Sequence, residues 1–358
     1  MKACVWGEMS AKLKGSGIGR AQEQQCTALQ MNGVATTRDA NDTFDVIDIN
    51  TIFLRSLYTA KRMRRRGKPV VIHSHTTAED TKDSFRLTTT IAPLLKMYLT
   101  YFYSQADLII SPTEYTKNIL RTYGIKNRII PISNGIDTQI FRPDEHARER
   151  GRAAYGLEGT VVYSVGHVFR RKGILDFFEI ARKFPDTAFA WAGLYHPKLV
   201  ESEVNNAVEH KPKNLKLVGF VPDIKWLHCG GDIFLFPSYC ENQGIVILEA
   251  AACMKPVIVR DIPVYDDWLH HGENCLKAKT NEEFARHVQT LMDDKRLAEK
   301  LAKNAHDMAQ GHDLKIVGGE LKRAYESVIT NDDICSLKGQ PMNSPDTAEY
   351  QHIKNRPL

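Results

Sequence analysis

The sequence predicts an α/β protein with two doubly wound parallel sheets. Short apolar runs alternate with amphipathic segments through most of the chain, which is the pattern of repeated βαβ units. The length of 358 residues is sufficient for two domains rather than one. Runs such as Asp232–Phe236 are apolar almost throughout, as expected for strands that helices cover on both faces.

The first domain is predicted over residues 1–140. Residues 76–90 are polar and threonine-rich without periodicity, which predicts a mobile loop. The predicted strands are Met1–Glu8, Phe44–Asn50, Pro69–His75, Asp107–Thr113 and Arg128–Ile132. The predicted helices are Ala21–Asn32, Ile52–Arg66, Ile91–Tyr103 and Glu114–Tyr123.

The second domain is predicted over residues 141–313. Residues 331–358 are polar and lack apolar periodicity, so we expect a disordered tail there. The predicted strands are Thr160–Val165, Ala188–Gly193, Leu215–Val221, Asp232–Phe236 and Lys255–Val259. Predicted helices lie near residues 146–155, 244–253, 281–310 and 314–330.

Composition excludes several classes of protein. Hydrophobic residues are 42% and charged residues 25% of the chain, an ordinary balance for a globular protein. No apolar run reaches the roughly 18 residues needed to span a bilayer, and the N-terminal stretch lacks the apolar core of a signal peptide. The 7 cysteines form no CxxC pair, which indicates reduced thiols in a cytosolic protein and argues against a metal site.

The stretch Pro237–Glu249 carries two carboxylates across a predicted strand, turn and helix. Glu249 follows Leu248 among alanines, where a charge is costly unless something binds it. The N–H groups of Gly244, Ile245 and Val246 would open the helix and attract an anion. One interpretation makes Glu241 a helix cap and Glu249 an exposed edge residue. The other makes the turn a site for polyol hydroxyls and a diphosphate.

Three further segments carry candidate ligand-binding groups. The loop 166–173 contains Arg170, Arg171 and Lys172, which suit a diphosphate but would also suit a solvated turn. The glycine-rich turn 12–20 does not match the dinucleotide fingerprint, because its spacing is G-x-G-x-G. His73 and His75 end a predicted strand on one face, either as ligand contacts or as ordinary loop histidines.

Positive charge is concentrated in the segment 61–68, although the net charge of the chain is only +5. The segment is either a solvated helix end or a patch that attracts lipid head groups or nucleic acid. Interleaved aromatic residues and nucleic-acid motifs are missing from the sequence, which argues against nucleic acid. The helix Ile91–Tyr103 is either a core helix or an interfacial helix that dips into a bilayer.

Taken together, these motifs resemble the retaining glycosyltransferases of family four, whose GT-B fold has two Rossmann-like domains facing each other across a cleft. The turn Asn134–Asp137, with Phe141 and Pro143 after it, resembles the crossing between domains in that family. The resemblance also implies that the helix near 314–330 returns to the first domain. His167 stands where the family usually has arginine. We therefore assign the arginine role to Arg171, or alternatively to Arg170.

The resemblance implies that Glu241 contacts the transferred sugar, Glu249 the nucleotide ribose and His75 the donor sugar. It implies retaining transfer from UDP-glucose or UDP-galactose without an essential metal or other cofactor, and without a protein nucleophile. The implied catalytic residues are Glu241, Lys172, Arg171 and His75. The implied donor-binding residues are Gly17, Gly166, Arg170, Arg171, Lys172, Val221, Pro222, Glu241, Asn242, Gly244, Ile245, Val246 and Glu249.

The turn Ser16–Arg20, His75, Glu79–Asp80 and Ser84–Phe85 resemble bacterial enzymes of glycolipid synthesis. That resemblance implies transfer to diacylglycerol or monoglucosyl-diacylglycerol at the anionic inner face of the cell membrane. Two alternatives stay open: transfer to a polyprenyl-linked acceptor in surface polysaccharide synthesis, and a catalytically silent sugar-nucleotide-binding protein. The expected membrane or acceptor contacts are Arg62, Arg64, Arg65, Arg66, Tyr98, Tyr101 and Phe102.

Overall fold

The computed structural model of the chain describes residues 1–8, 16–81 and 88–331. Part of the glycine-rich turn, Lys12–Gly15, lies outside these residues, as do Ser84–Phe85 and the predicted tail beyond Asn331. Within the described part, two six-stranded parallel sheets confirm the predicted architecture.

The first sheet has the strand order β2-β1-β3-β4-β5-β6. Trp6 pairs with Ile49, and Ile49 in turn pairs with Ile72. Because all strands run in one direction, their carboxyl ends meet at one edge, where Asn50 and His75 follow directly. The strands are β1 (Lys2–Trp6), β2 (Ala35–Thr37), β3 (Val46–Ile49), β4 (Val70–His73), β5 (Leu108–Ser111) and β6 (Arg128–Pro131).

The helices of this half differ from the predictions mainly at their starts. Helix α1 begins at Gly17, because the Ser16 hydroxyl caps it by accepting from Gly19 N at 3.2 Å. The predicted loop 76–90 contains a short helix, α3, so that prediction is wrong over those residues. The helices are α1 (Gly17–Met31), α2 (Leu54–Arg65), α3 (Ala78–Thr81), α4 (Thr88–Tyr103) and α5 (Glu114–Thr122).

The second sheet has the order β12-β11-β10-β7-β8-β9 and is also parallel throughout. Its strands are β7 (Val161–Val165), β8 (Ala188–Ala192), β9 (Leu215–Gly219), β10 (Ile233–Phe236), β11 (Val257–Arg260) and β12 (Leu276–Ala278). Its helices are α6 (Glu145–Tyr155), α7 (Ile174–Arg182), α8 (Ser202–Glu209), α9 (Ile224–Gly230), α10 (Ile245–Ala252), α11 (Asn281–Asp293) and α12 (Lys295–Gln310).

The last helix, α13 (Leu314–Ile329), returns to the first half and packs against α1. Gly318 permits the approach, since a Cβ there would lie 2.0 Å from Ala28 O. Tyr325 is fully buried in the core beneath β1 and β3. Among the described residues, no helix combines the length and the apolar character that crossing a membrane requires.

Candidate active site

A cavity of about 590 Å³ lies where the carboxyl ends of the two sheets meet. The first half contributes Gly17, Arg20, His75 and Asp80 to its lining, and the second half the loop after β7 and the turn before α10. Of the implied donor-binding residues, the lining includes Gly17, Gly166, Arg171, Lys172, Val221, Pro222, Glu241, Asn242, Gly244, Ile245 and Val246.

Glu241 lies buried at the centre of this lining. Its Oε1 is 2.5 Å from Lys172 Nζ and accepts a 2.6 Å hydrogen bond from the Ser238 hydroxyl. Burial works to raise the pKa of Glu241, but the charges of Lys172 and Arg171 outweigh it and lower the pKa. Helix α10 is capped by Gly244 instead, so the interpretation of Glu241 as a helix cap is wrong.

The cations of the 166–173 loop take different positions. Arg171 lines the cavity, donates to Cys240 O at 2.5 Å and lies 3.7 Å from Glu241. Arg170 is 54% exposed and pairs with Glu203 at 3.1 Å. Neither Arg170 nor Glu249 is among the residues that line the cavity, so a donor contact for either stays a prediction.

His167 occupies the cavity wall at the position where the resemblance predicts arginine. Its ring stacks on Phe169 with centroids 5.2 Å apart. Burial lowers the pKa of His167, and the charge of Lys172 lowers it further. A neutral imidazole does not replace the missing cation, so the assignment of that role to Arg171, or alternatively to Arg170, stays a prediction.

Helix α10 opens at the cavity with Gly244 in the left-handed conformation, φ 93°. The first bond within the helix runs from Ile247 N to Gly244 O at 2.9 Å. The N–H groups of Ile245 and Val246 therefore precede the helical ladder and border the cavity. This arrangement suits an anion, as the sequence predicts.

His73 and His75 stack with ring centroids 5.1 Å apart, which confirms that they share one face. His73 is buried and its Nδ1 lies 2.9 Å from Asp48. His75 reaches the cavity, and its Nε2 lies 2.9 Å from Asn50 Oδ1. Burial lowers the pKa of His75, which keeps the ring neutral. An Nε2–H donated to Asn50 leaves Nδ1 as a hydrogen-bond acceptor.

Glu249 is 0% exposed, so its interpretation as an exposed edge residue is wrong. Its Oε1 lies 2.8 Å from Arg20 of α1, and its Oε2 lies 3.0 Å from His228 Nε2 of α9. Sequence reasoning assigned no role to either partner. Arg20 lies within the glycine-rich motif, which could have drawn attention to it, whereas His228 has no sequence signal.

The residues after Glu241 connect the two halves, which the sequence did not predict. Asn242 Nδ2 donates to His75 O at 2.9 Å and to Asp80 Oδ2 at 2.5 Å. Gln243 Nε2 donates to the Ser133 hydroxyl at 2.7 Å. Asn242, expected only as a donor contact, therefore also holds the cleft together.

The expected membrane contacts divide into exposed and buried residues. Arg64, Arg65 and Arg66 are exposed, whereas Arg62 donates to Asn41 Oδ1 at 2.8 Å. Tyr101 is exposed as well. Phe102 is fully buried, and Tyr98 donates its hydroxyl to Ile52 O at 2.5 Å. The structure excludes Phe102 as a surface contact, because α4 turns it into the core, whereas Tyr98 is only partly buried and stays a predicted contact.

Across residues 1–8, 16–81 and 88–331, no group of three or more His, Cys, Asp or Glu side chains is arranged to hold a metal ion.

Comparisons with known proteins find a family match in each half of the chain. The family model for glycosyl transferases group 1 matches residues 147–308, and the model for glycosyltransferase family 4 matches residues 34–140. A processive diacylglycerol alpha-glucosyltransferase from Acholeplasma laidlawii is 36% identical, over 92% of this chain and 99% of the relative. An alpha-galactosylglucosyldiacylglycerol synthase from Streptococcus pneumoniae is 25% identical, over 72% of this chain and 71% of the relative.

Among solved structures, Anabaena HepE in complex with UDP-glucose superposes with a TM-score of 0.73 at 18% identity. The match covers 91% of this chain and 100% of HepE. It shows that the two parallel sheets form the GT-B fold.

Proposed function

The chain belongs to the group 1 glycosyl transferases, and we propose that it transfers glucose or galactose from a UDP-sugar to a membrane glycolipid acceptor. The proposed acceptors are diacylglycerol and monoglucosyl-diacylglycerol. The observation that carries the proposal is the 36% identity with a diacylglycerol alpha-glucosyltransferase over 99% of that relative. The charged groups of the cleft and an exposed apolar and basic surface on the first half support it further.

The charges of the cleft support a nucleotide diphosphate sugar as donor. Lys172, Arg171 and the start of α10 border one cavity, where they can stabilise charge that develops on a leaving diphosphate. The ionised carboxylate of Glu241 can accept hydroxyls of the transferred sugar. His75 Nδ1 is free to accept a hydrogen bond from a further hydroxyl of the sugar.

In the proposed reaction, the bond between the anomeric carbon and the donor phosphate oxygen breaks. The acceptor hydroxyl oxygen bonds to that carbon on the face that the phosphate leaves, so the configuration is retained. The hydroxyl proton passes to the departing phosphate, and UDP leaves. Lys172 lies 2.5 Å from Glu241, so sugar recognition and stabilisation of the leaving group share one ion pair.

An exposed surface on α2 and α4 supports contact with a membrane. Leu54, Tyr58, Leu94, Met97 and Tyr101 are all large apolar or aromatic side chains exposed to solvent there. The two helices are neighbours, because Lys61 Nζ lies 4.8 Å from the centroid of the Tyr101 ring. The exposed residues Arg64, Arg65 and Arg66 at the end of α2 have no ion pair with any residue the structure describes. Apolar side chains beside free cations suit an anionic lipid surface.

The test is transfer of radiolabelled hexose from UDP-glucose and UDP-galactose to diacylglycerol and monoglucosyl-diacylglycerol in anionic micelles. Wild type should label a lipid from one donor, and Glu241→Gln should lose that label. The control Glu203→Gln changes a glutamate outside the cavity and should keep it. UDP release without a labelled lipid would support the donor and contradict the lipid acceptor, and polyprenyl-linked sugars would be tested next.

Sedimentation with anionic liposomes tests the membrane contact separately. Replacing Arg64, Arg65 and Arg66 together by glutamine should weaken binding at low salt, by about 1 kcal/mol for each charge. High salt should weaken wild-type binding in the same direction. Equal sedimentation of wild type and the triple variant at low salt would contradict the role of this surface.

A further inference from the structure

Glu249 is a fully buried carboxylate whose two oxygens are held in different ways. Oε2 faces His228, which is itself fully buried. Oε1 faces Arg20, whose side chain is 36% exposed and comes from the other side of the cleft. One oxygen thus has a rigid partner from its own half, and the other has a flexible partner from the opposite half.

The rigid side is a chain of three groups. Tyr163 of β7 lies with its hydroxyl 3.0 Å from His228 Nδ1, and His228 Nε2 lies 3.0 Å from Glu249 Oε2. Burial lowers the pKa of His228, although Glu249 opposes that shift, so the ring is neutral. An ionised Glu249 requires the proton on Nε2. Nδ1 then accepts from the Tyr163 hydroxyl, which fixes both the tautomer and the ring orientation.

Aromatic packing holds the same ring in place. Phe141 and Phe234 lie 6.0 Å and 5.8 Å from His228 between ring centroids. The ring therefore has little freedom to rotate, and the direction of its Nε2–H toward Glu249 is set by the core of the second half.

The flexible side of Glu249 has unused hydrogen-bonding capacity. Oε1 is 2.8 Å from an Arg20 nitrogen, but among the described residues no hydrogen bond of ordinary geometry reaches it. A buried carboxylate oxygen with only an unaligned cation beside it gains from a well-directed hydroxyl. Arg20 itself lines the donor cavity, so a ligand in that cavity can displace it.

We propose that His228, backed by Tyr163, is a positioning residue that holds Glu249 so that Oε1 accepts a ribose hydroxyl of the donor in place of Arg20. This inference rests on the proposed UDP-sugar donor. It assigns His228 and Tyr163 to donor recognition, although neither they nor Glu249 line the donor cavity. The donor reaches Oε1 by displacing Arg20, which does line the cavity. It also makes Arg20 the group that occupies the ribose position until the donor arrives.

The test is calorimetric binding of UDP and of 2′,3′-dideoxy-UDP, which lacks both ribose hydroxyls. Wild type should prefer UDP by roughly ten-fold or more, the ratio that a hydrogen bond to a charged group supplies. Glu249→Gln and His228→Phe should both reduce the preference to within about three-fold. His228→Gln keeps an N–H donor and should restore part of it. The control His312→Phe changes a histidine outside the cavity and should keep the wild-type ratio.

The pH dependence of UDP binding gives a readout that altered packing alone would not move. Burial works to raise the pKa of Glu249, but Arg20 and His228 outweigh it and hold the pKa low. Tyr163 and Cys253 also face this carboxylate. Loss of the His228 N–H should raise the pKa, so the fall in UDP affinity on acidification should begin at a higher pH in His228→Phe.

The possible outcomes distinguish failure of the proposed UDP-sugar donor from failure of the proposed role of His228. If wild type does not bind UDP, the proposed donor is wrong and this inference falls with it. If wild type prefers UDP and His228→Phe keeps the full preference, the inference alone is overturned. Should His228→Phe fail to fold, Tyr163→Phe removes a single oxygen, and an unchanged preference in that variant together with His228→Gln would overturn the inference equally.

Discussion

The two glutamates of the cleft, Glu241 and Glu249, are both buried and both paired with cations, yet their partners come from different places. Glu241 is held by Lys172 and Ser238, which belong to the same half of the molecule. Glu249 is held by His228 from its own half and by Arg20 from the opposite half. The surroundings of Glu241 therefore exist whether or not the cleft is closed, whereas those of Glu249 depend on closure.

This difference suggests separate roles for the two carboxylates. A carboxylate whose partners are fixed can be ready for the transferred sugar before a donor binds, since little reorganisation is needed. A carboxylate that shares a cation across the cleft couples donor binding to the relative position of the two halves. Asn242 and Gln243 follow Glu241 directly and carry the other bonds across the cleft.

The largest expected effect is a loss of activity on changing Lys172, the partner of Glu241 from its own half. Lys172→Met removes the cation 2.5 Å from Glu241 and should reduce kcat for transfer by roughly 10²–10³-fold, the usual loss of one electrostatic stabiliser. The pKa of Glu241 should also rise, because Lys172 is the leading cause that lowers it against burial. Residual activity should therefore decline at a higher pH on acidification than in wild type.

Its matched control is the neighbouring change Arg170→Met, which removes an exposed cation paired with Glu203. We expect activity within about two-fold of wild type, since exposed ion pairs contribute at most about 1 kcal/mol. Steady-state kinetics with labelled donor measures both variants. Equal losses in the two would contradict the distinction between Lys172 and Arg170.

A smaller effect is expected on the side that spans the cleft. Arg20→Met leaves Glu249 with His228 alone and should lower the free energy of unfolding by about 1–3 kcal/mol without ligand. UDP should stabilise this variant at least as strongly as it stabilises wild type, because the ribose takes the place of Arg20. Thermal denaturation with and without UDP measures both quantities.

Arg182→Met is the control for this variant, since Arg182 forms an exposed pair with Glu179 on one helix. Its stability should stay within about 0.5 kcal/mol of wild type. If UDP stabilised wild type but not Arg20→Met, Arg20 would be a donor ligand rather than the group that the donor displaces.

The surroundings of Glu241 could be predicted from the sequence more fully than those of Glu249. Glu241, Gly244 and Lys172 lie in two short loops, each between a strand and a helix. The order of strand, turn and helix therefore predicts from sequence that all three lie at one edge of a sheet. The strand positions followed from apolar runs, and only the short strands β2 and β12 were missed, because three residues carry too weak a pattern.

Contacts between the two halves could not be predicted in the same way. The Arg20–Glu249 pair joins residues far apart in the chain, and the type of neither residue predicts which residue it pairs with. His228 stands in a segment that carries no motif, and its role depends on the crossing of α9 and α10. Likewise Phe102 and Tyr101 are adjacent aromatic residues, and only the rotation of α4 decides that one is buried and the other exposed.

A further prediction concerns a third carboxylate, Asp80, whose pKa shifts in the opposite direction to that of Glu241. Asp80 lines the same cavity and accepts from Asn242 Nδ2 and from Thr77 N at 3.2 Å. Burial raises the pKa of Asp80 to about 6, and the charge of Arg171 only partly opposes it. Glu241, with Lys172 in contact, is shifted in the opposite direction.

The sign of the resulting pH dependence follows from the raised pKa. Below the ordinary aspartate pKa of 3.8, Asp80 is protonated in both folded and unfolded protein, and no stability is lost. Between that value and about 6, the folded protein holds the proton more tightly, so its stability falls as pH rises. Wild type should therefore lose about 2 kcal/mol relative to Asp80→Asn between pH 4 and pH 7. Urea denaturation of both proteins at the two pH values measures this difference, and parallel stabilities would show that Asp80 stays ionised because a cation outweighs its burial, as in Glu241.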